Sequence, residues 1–447
     1  MRYGAIRKVI DSPADLTAAD RKRLRRLCAY QAYVYNSLEH FGWGTGSHLG
    51  NPNMSIMAMD ARIKSAELIK DHPQFTPWGQ WTLAFTRDYI NRFTRESGAP
   101  YENVHYTLGV TVAGIAEVNE RLMHYGIGDA MDTPRFHKCM RFVLDWLTPP
   151  DPRFNGHRVM APFGNSSYQS VPPDVGRMLV QYYKDRDPQL AGKLQWMTNQ
   201  TLAEKWQGKP NRLDIVQSVT PELGSRWYEN YGVFFRHGFG TPHETYMMLY
   251  AGDCNGHYEW ETDQMSYTLY AKGQPIHLHF GNGYFPIFGR PWLRNRVSID
   301  HRPEISERMD AEVLAASFTP ETEYARAHKP IDRLSGPKSE LAPDYGSKVP
   351  DPPFPGPHED IALIRWYRQI MFVKDADPRG PNYFVLRDAF GGTPEKPTDL
   401  SLWFLASEMQ RDGATFQYAG QCEVDMDVFV AEPAEFEPET GAFQHRQ

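Results

Sequence analysis

Residues 252–281 read Gly252-Asp-Cys-Asn-Gly-His257-Tyr-Glu259-Trp260-Glu261-Thr-Asp263-Gln-Met-Ser266-Tyr267-Thr-Leu-Tyr270-Ala-Lys272-Gly273-Gln-Pro275-Ile-His277-Leu-His279-Phe-Gly281. A polar loop dense in His, Glu and Asp is followed by two apolar runs that turn at Lys272-Gly273, which predicts an antiparallel hairpin. A solvated acidic loop would account for the carboxylates. It would not account for His257, His277 and His279 falling within 23 residues around one turn.

Strand-like runs surround this hairpin at 232–236, 245–250, 265–270, 275–280, 296–299, 362–366, 369–373 and 383–387, rich in Val, Ile, Tyr and Phe. An antiparallel β-sandwich is the expectation. The Pro-dense stretch 341–360 reads as an excursion loop. Before residue 212 the pattern changes to apolar spacing near 3.6, with helices expected over 20–38, 54–70, 78–94, 104–125, 136–147, 175–184 and 190–206. The fold class expected is α+β. An incomplete (α/α) toroid of paired helices over 1–212 precedes an antiparallel β-sandwich over 213–447.

Composition bounds the function. The chain has 447 residues, 41% hydrophobic and 23% charged, enough to bury a core. Its formal charge of −7 lacks the basic footprint of a nucleic-acid binder. Four cysteines without CxxC pairing argue against a disulfide scaffold or a Cys-based zinc ribbon. No apolar run reaches the ~20 residues of a membrane span, and Met1 to Ile6 opens no secretory h-region. A soluble protein is expected, with a secreted or periplasmic full-length form compatible with the sequence. A phosphate-cradling Gly loop, a dinucleotide fingerprint and a Ser nucleophile elbow are absent, so no nucleotide or organic cofactor is expected.

Two earlier segments carry polar residues at helix starts. Gly46-Ser-His48-Leu-Gly-Asn51-Pro-Asn53-Met54 offers Asn51 and Asn53, which as single residues read as N-caps. Pro100-Tyr-Glu102-Asn-Val-His105-Tyr106 opens a long helix, where Tyr106 alone reads as a core or rim aromatic.

With the hairpin, these segments resemble the heparinase II/III-like polysaccharide lyases, over roughly residues 40–440. The β-half carries the best match: Phe235-Arg236, His257, Asp263, Ser266, the Tyr270-Ala-Lys-Gly-Gln-Pro275 turn, then Trp292-Leu-Arg-Asn-Arg-Val297. The α-half match is Asn53 and, 53 residues later, Tyr106 with Glu102 four residues before it. The resemblance implies a toroid joined to a sandwich with the active site between them. It also implies β-elimination on a uronic-acid polysaccharide. A base removes the proton on C5 beside the carboxylate, the C4–O bond breaks, and an unsaturated uronate forms. It assigns Tyr106 as acid and base, His257 as base or carboxylate neutraliser, and Asn53 as the amide that stabilises the enolate-like intermediate. Asn51, Glu102, His105, Arg236, Glu259, Trp260 and Arg296 are the implied substrate contacts.

Many family members carry a His directly after the Asn, whereas this chain has Met54. Some hold a structural zinc through His, Asp and His. His279 falls at the Asp position, Arg294 at the second His, and Glu261 or Glu259 near the first, so Glu261 and His279, with His301 nearby, are the candidate metal ligands. Arg62, Arg158 and Lys272 join Arg236 and Arg296 as candidate cations for an anionic cleft. Trp43, Trp78 and Trp260 are candidate stacking residues. Pro162-Phe-Gly-Asn165 with Tyr168 resembles a family loop near the cleft. The partner expected is an anionic polysaccharide, with no nucleic acid or membrane, and a homo-oligomer is compatible. The alternatives are a toroid glycoside hydrolase using Glu102 with Glu259 or Glu261, and an inactive carbohydrate-binding relative.

Overall fold

The structure is a computed structural model. It describes residues 16–37, 52–103, 106–163, 166, 168–201, 205–206, 209–210, 212–252, 263–279, 291–304, 310–334, 359–392, 394–433 and 435–441. The expected loop 341–360 falls outside these residues apart from its last two, which begin a strand.

Seven α-helices are present among the described residues: α1 (Ala18–Asn36), α2 (Pro52–Glu67), α3 (Phe75–Phe93), α4 (Ala113–His124), α5 (Pro134–Asp145), α6 (Pro173–Tyr183) and α7 (Pro188–Thr201). Their starts are locally encoded. Thr17 and Asp20 form a reciprocal capping box on α1. Thr133 caps α5, with Pro134 in its first turn. α1 and α2 run antiparallel, since Cys28 packs with Leu68 while Asn36 Nδ2 reaches Arg62 O at 3.5 Å.

Two of the early helix ends matter for the fold. α7 stops at Thr201 rather than 206. α5 stops at Asp145, and the chain then forms a hairpin of β1 (Leu147–Asp151) and β2 (His157–Met160). The turn between them places Asn155 and Gly156 at positive φ, 55° and 75°, the Asn-Gly signature of a tight turn.

After the short strands β3 (Lys205–Trp206) and β4 (Lys209–Pro210) comes a five-stranded antiparallel sheet. It is built in order from β5 (Arg226–Tyr228), β6 (Gly232–His237), β7 (Thr245–Tyr250), β8 (Tyr267–Ala271) and β9 (Gln274–His277). The β8–β9 turn falls at Lys272-Gly273 as read from the sequence, with φ of 53° and 76°. A Cβ at Gly273 would lie 2.3 Å from Pro242 O, so this position requires glycine.

β10 (Val297–Ile299) pairs later with β15 (Thr398–Leu400). A second sheet runs β11 (Glu312–Phe318), β12 (Thr322–Leu334), β13 (Glu359–Lys374), β14 (Asn382–Gly391). The runs expected at 362–366 and 369–373 are one strand, β13. β16 (Ala406–Asp412), β17 (Thr415–Gly420) and β18 (Met426–Phe429) form a third, smaller sheet.

The sandwich core lies between the two larger sheets. Val233, Phe235, Met247, Leu249 and Leu269 from one face Ala325, Ala327, Trp366, Ile370 and Phe372 from the other. Alternate residues on the opposite face of the first sheet, Phe234, Tyr246, Met248 and Tyr270, join the helical core instead. This explains why β6 and β7 are apolar at almost every position: the sheet is covered on both sides. Among the described residues no helix is long and apolar enough to cross a membrane.

Candidate active site

Asn53 lies in the first turn of α2, buried with only 4% of its surface exposed. Its backbone N–H donates to Glu102 Oε2 at 3.2 Å, and its amide Nδ2 approaches Glu102 Oε1 at 3.5 Å. Glu102 comes from the loop after α3. That loop is closed by Arg95 N to Ala99 O (2.9 Å) and Tyr101 N to Phe93 O (2.9 Å), with Gly98 at φ 94° in the turn. Asn103 Oδ1 then accepts from Tyr106 N at 3.2 Å, and Thr107 Oγ1 donates to Glu102 O at 3.0 Å. Two local bonds therefore tie the start of the helix that carries half-buried Tyr106 to the Glu102–Asn103 loop.

The helix expected over 104–125 is not regular. Thr107–Val112 is a π-helical turn leading into α4. Such turns are rare and recur at functional sites. Here it follows Tyr106 directly.

Burial pushes the Glu102 carboxyl up to about 7, against the smaller opposing effect of the Asn53 hydrogen bonds. Near neutral pH the pair thus carries only part of a negative charge, which lets another carboxylate approach. The stability consequence has a definite sign. The folded state binds the Glu102 proton more tightly than the unfolded chain, so this stabilisation is complete below about pH 4.5 and lost as pH rises through about 7. Its upper size is on the order of 3 kcal/mol. Glu102→Gln is expected to flatten this part of the stability–pH curve, measured by urea unfolding at pH 5 to 8. An unchanged slope would contradict the buried-carboxyl account.

The sheet half reaches the same region. The Arg95 guanidinium lies 4.1 Å from the Tyr101 ring and 5.6 Å from that of Tyr231. Buried Tyr231 also feels the charge of Asp263. Tyr231 packs 5.3 Å from Tyr250, Tyr250 5.7 Å from Phe163, and Phe163 4.5 Å from His279. Gln264 Nε2 donates to Gly252 O at 2.7 Å, so the chain leaves and re-enters the sheet at one place on either side of 253–262. His257, Glu259, Trp260 and Glu261 belong to that interval and lie outside the described residues, as do Asn51, His105, Trp43, His48 and Asn165.

Four of the five expected cleft cations, the arginines, lie inside the protein, and Lys272 is half-buried. Arg236 pairs with Glu244, and its Nη2 donates to Asp145 O (3.1 Å) and Leu147 O (2.6 Å). Arg158 binds the same carboxylate at 2.7 Å and Thr148 O at 2.9 Å. Arg296 pairs with Glu304 within the sandwich, its guanidinium 5.1 Å from the Trp366 ring. Arg62 is buried over Trp81 at 4.0 Å, and Lys272 Nζ donates to Pro378 O at 2.8 Å and also to Gly380 O. Arg236 and Arg296 are thus built into the joint and the sandwich core, because their donors find carboxylates and carbonyls there. Trp78 is half-buried against Tyr33 and His72, at ring distances of 5.0 and 5.8 Å. The exposed cations Lys22, Arg25 and Arg26 cluster on α1, a run the motif reading passed over.

Of the candidate metal ligands, Glu261 lies outside the described residues, and His279 and His301 face different carboxylates. His279 Nε2 lies 3.4 Å from Asp263 Oδ1, and Arg294 Nε lies 2.5 Å from the same oxygen. Burial first, and then Arg294, push His279 down to about 4, so its imidazole is neutral. His301 pairs elsewhere, with Asp399 at 3.2 Å. His277 is a core residue, 4.2 Å from the Phe404 ring, and burial pushes it down to about 3. Among the described residues no group of three or more ligating side chains could hold a metal ion. An arginine cannot coordinate one, so the described residues Asp263, His279 and Arg294 do not fit the implied zinc.

Sequence comparison finds neither a matching family model nor a matching curated protein. Comparison of structures does find likenesses. A crystal structure of heparinase III matches with a TM-score of 0.67 at 15% identity, over 94% of this chain and 59% of that one. A heparinase III gene product with methylated lysines matches at 0.62 and 12% identity, over 91% of this chain and 54% of its own. A further structure of a heparinase III gene product matches at 0.60 and 12%, over 93% and 57%. The chain thus spans less than two thirds of the length of each. What is shared at this identity is architecture: the chain has the heparinase-like polysaccharide lyase fold, a layer of α-helices joined to antiparallel β-sheets.

Proposed function

We propose that this chain is a polysaccharide lyase that cleaves a uronic-acid polymer by β-elimination, with a helical unit over 1–212 and a sandwich unit over 213–447. The observation that carries the reading is the buried Asn53–Glu102 pair, on the loop that leads through Asn103 and Thr107 into the helix of Tyr106 and is linked through Arg95 to Tyr231 of the sheet. An amide nitrogen has two hydrogens. One faces Glu102, and we assign the other to a uronate carboxylate, where it stabilises the negative charge that builds as C5 loses its proton. Tyr106 is the proton-transfer group, and His257 the neutraliser or second base. Asn51, His105, Glu259 and Trp260 remain proposed substrate contacts. Glu102 is proposed as the residue that orients Asn53.

One observation favours a second reading. A buried Glu raised to about 7 also suits the general acid of a glycoside hydrolase. Its partner would be Glu259 or Glu261. The test is incubation with alginate, glucuronan, ulvan and glycosaminoglycans, watching for new ultraviolet absorbance. Growth of absorbance on at least one polymer is expected. Cleavage without absorbance would favour hydrolysis, and tight binding without cleavage would favour an inactive binding relative.

A further inference from the structure

We propose that the Asp263–His279–Arg294 cluster is a metal-free replacement for a structural ion, with the Arg294 guanidinium supplying the positive charge. All three side chains are at most 1% exposed. Arg294 Nε and His279 Nε2 converge on one oxygen, Asp263 Oδ1, at 2.5 and 3.4 Å. The Asp263 carboxylate already has its counter-charge in the Arg294 guanidinium. A divalent ion placed between Asp263 and His279 would stand against a fixed cation that cannot lose its proton or donate a lone pair.

The guanidinium is held in place by its own segment. Arg294 N donates to Pro291 O at 3.1 Å. The neighbouring Asn295 Nδ2 ties Tyr267 O (3.0 Å) to Leu278 O (2.9 Å), clamping β8 and the end of β9. The Asp263 backbone O accepts from Ser266 N at 2.9 Å, which fixes the carboxylate just ahead of β8. The cluster therefore performs the cross-linking task of a bound ion with covalently attached charges.

The test is metal content and melting temperature, both independent of any catalytic reading. The purified protein, dialysed against zinc and then freed of excess, is expected to carry no stoichiometric metal, and chelator is expected to leave its melting temperature unchanged. Arg294→His places a third ligand beside Asp263 and His279, a set that suits zinc. That variant is expected to bind about one zinc per chain and to melt several degrees higher with zinc than without. Arg294→Met is expected to melt lower than the parent, with no recovery on adding zinc. A parent protein holding about one equivalent of metal, whose removal lowers its melting temperature, would overturn the proposal. An Arg294→His variant that folds but ignores zinc would overturn it as well.

Discussion

Tyr106→Phe is expected to slow the elimination by about 10²- to 10⁴-fold, the usual contribution of a positioned proton-transfer group. The substitution removes one oxygen and keeps the ring. The backbone around Tyr106 is fixed by the Asn103 cap and by Thr107 bonded to Glu102 O, and neither bond uses the phenol. Both bonds survive the substitution, so the variant is expected to keep a cooperative melt. The readout is the initial rate of ultraviolet absorbance on the most responsive polymer, with the melt measured in parallel. Retained activity would remove Tyr106 from the mechanism. A collapse of both rate and melt would show a structural phenol instead.

The second large effect is on stability. Glu244 is completely buried, and its carboxylate faces both Arg158 and Arg236. Burial alone would raise its pKa, but the two guanidiniums outweigh burial and hold it below the usual carboxylate range. Those arginines also bind Thr148 O, Asp145 O and Leu147 O, at the hinge between α5 and β1. Glu244→Ala leaves two cations buried without their counter-charge. Removing one partner of such a pair costs about 3–5 kcal/mol, measured by urea unfolding. Asp88→Ala is the control. Its ion pair with Arg92 is half exposed, and a loss of under about 1 kcal/mol is expected. Equal losses in the two variants would contradict the view that Glu244 locks the helices to the first sheet.

The legibility of the sequence followed from how local each signal was. The helices with apolar spacing near 3.6 lie close to where periodicity placed them, and the Lys272-Gly273 hairpin turned where its residues required. Strand β12 escaped notice because its inward positions are not uniformly apolar. β12 buries Glu323 against Ser225 and Lys374, and Lys329 against Gln264 and Glu304. The alternation is there, but charge conceals it. The β1–β2 hairpin was announced by Asn155-Gly156, a signal obscured by the prolines at 149, 150 and 152.

The candidate site was less legible, for a physical reason. A motif gives a residue type but not its partner. Arg236 and Arg296 read as cleft cations, and only their spatial neighbours, Glu244 and Glu304, reveal them as internal. Glu102 read as a substrate contact, whereas the fold turns its carboxylate toward Asn53. Arg95, Tyr101 and Tyr231 carry no local signature at all. Their importance arises from bridging elements far apart in the chain.

Elimination and hydrolysis differ in whether water enters the product. Cleavage of the responsive polymer in heavy-oxygen water, followed by mass spectrometry of the freshly released ends, reads this directly. Unlabelled fragments, each pair differing by a double bond at the new non-reducing end, are the predicted result. Heavy oxygen incorporated at the cleaved bond, with saturated ends on both fragments, would contradict it.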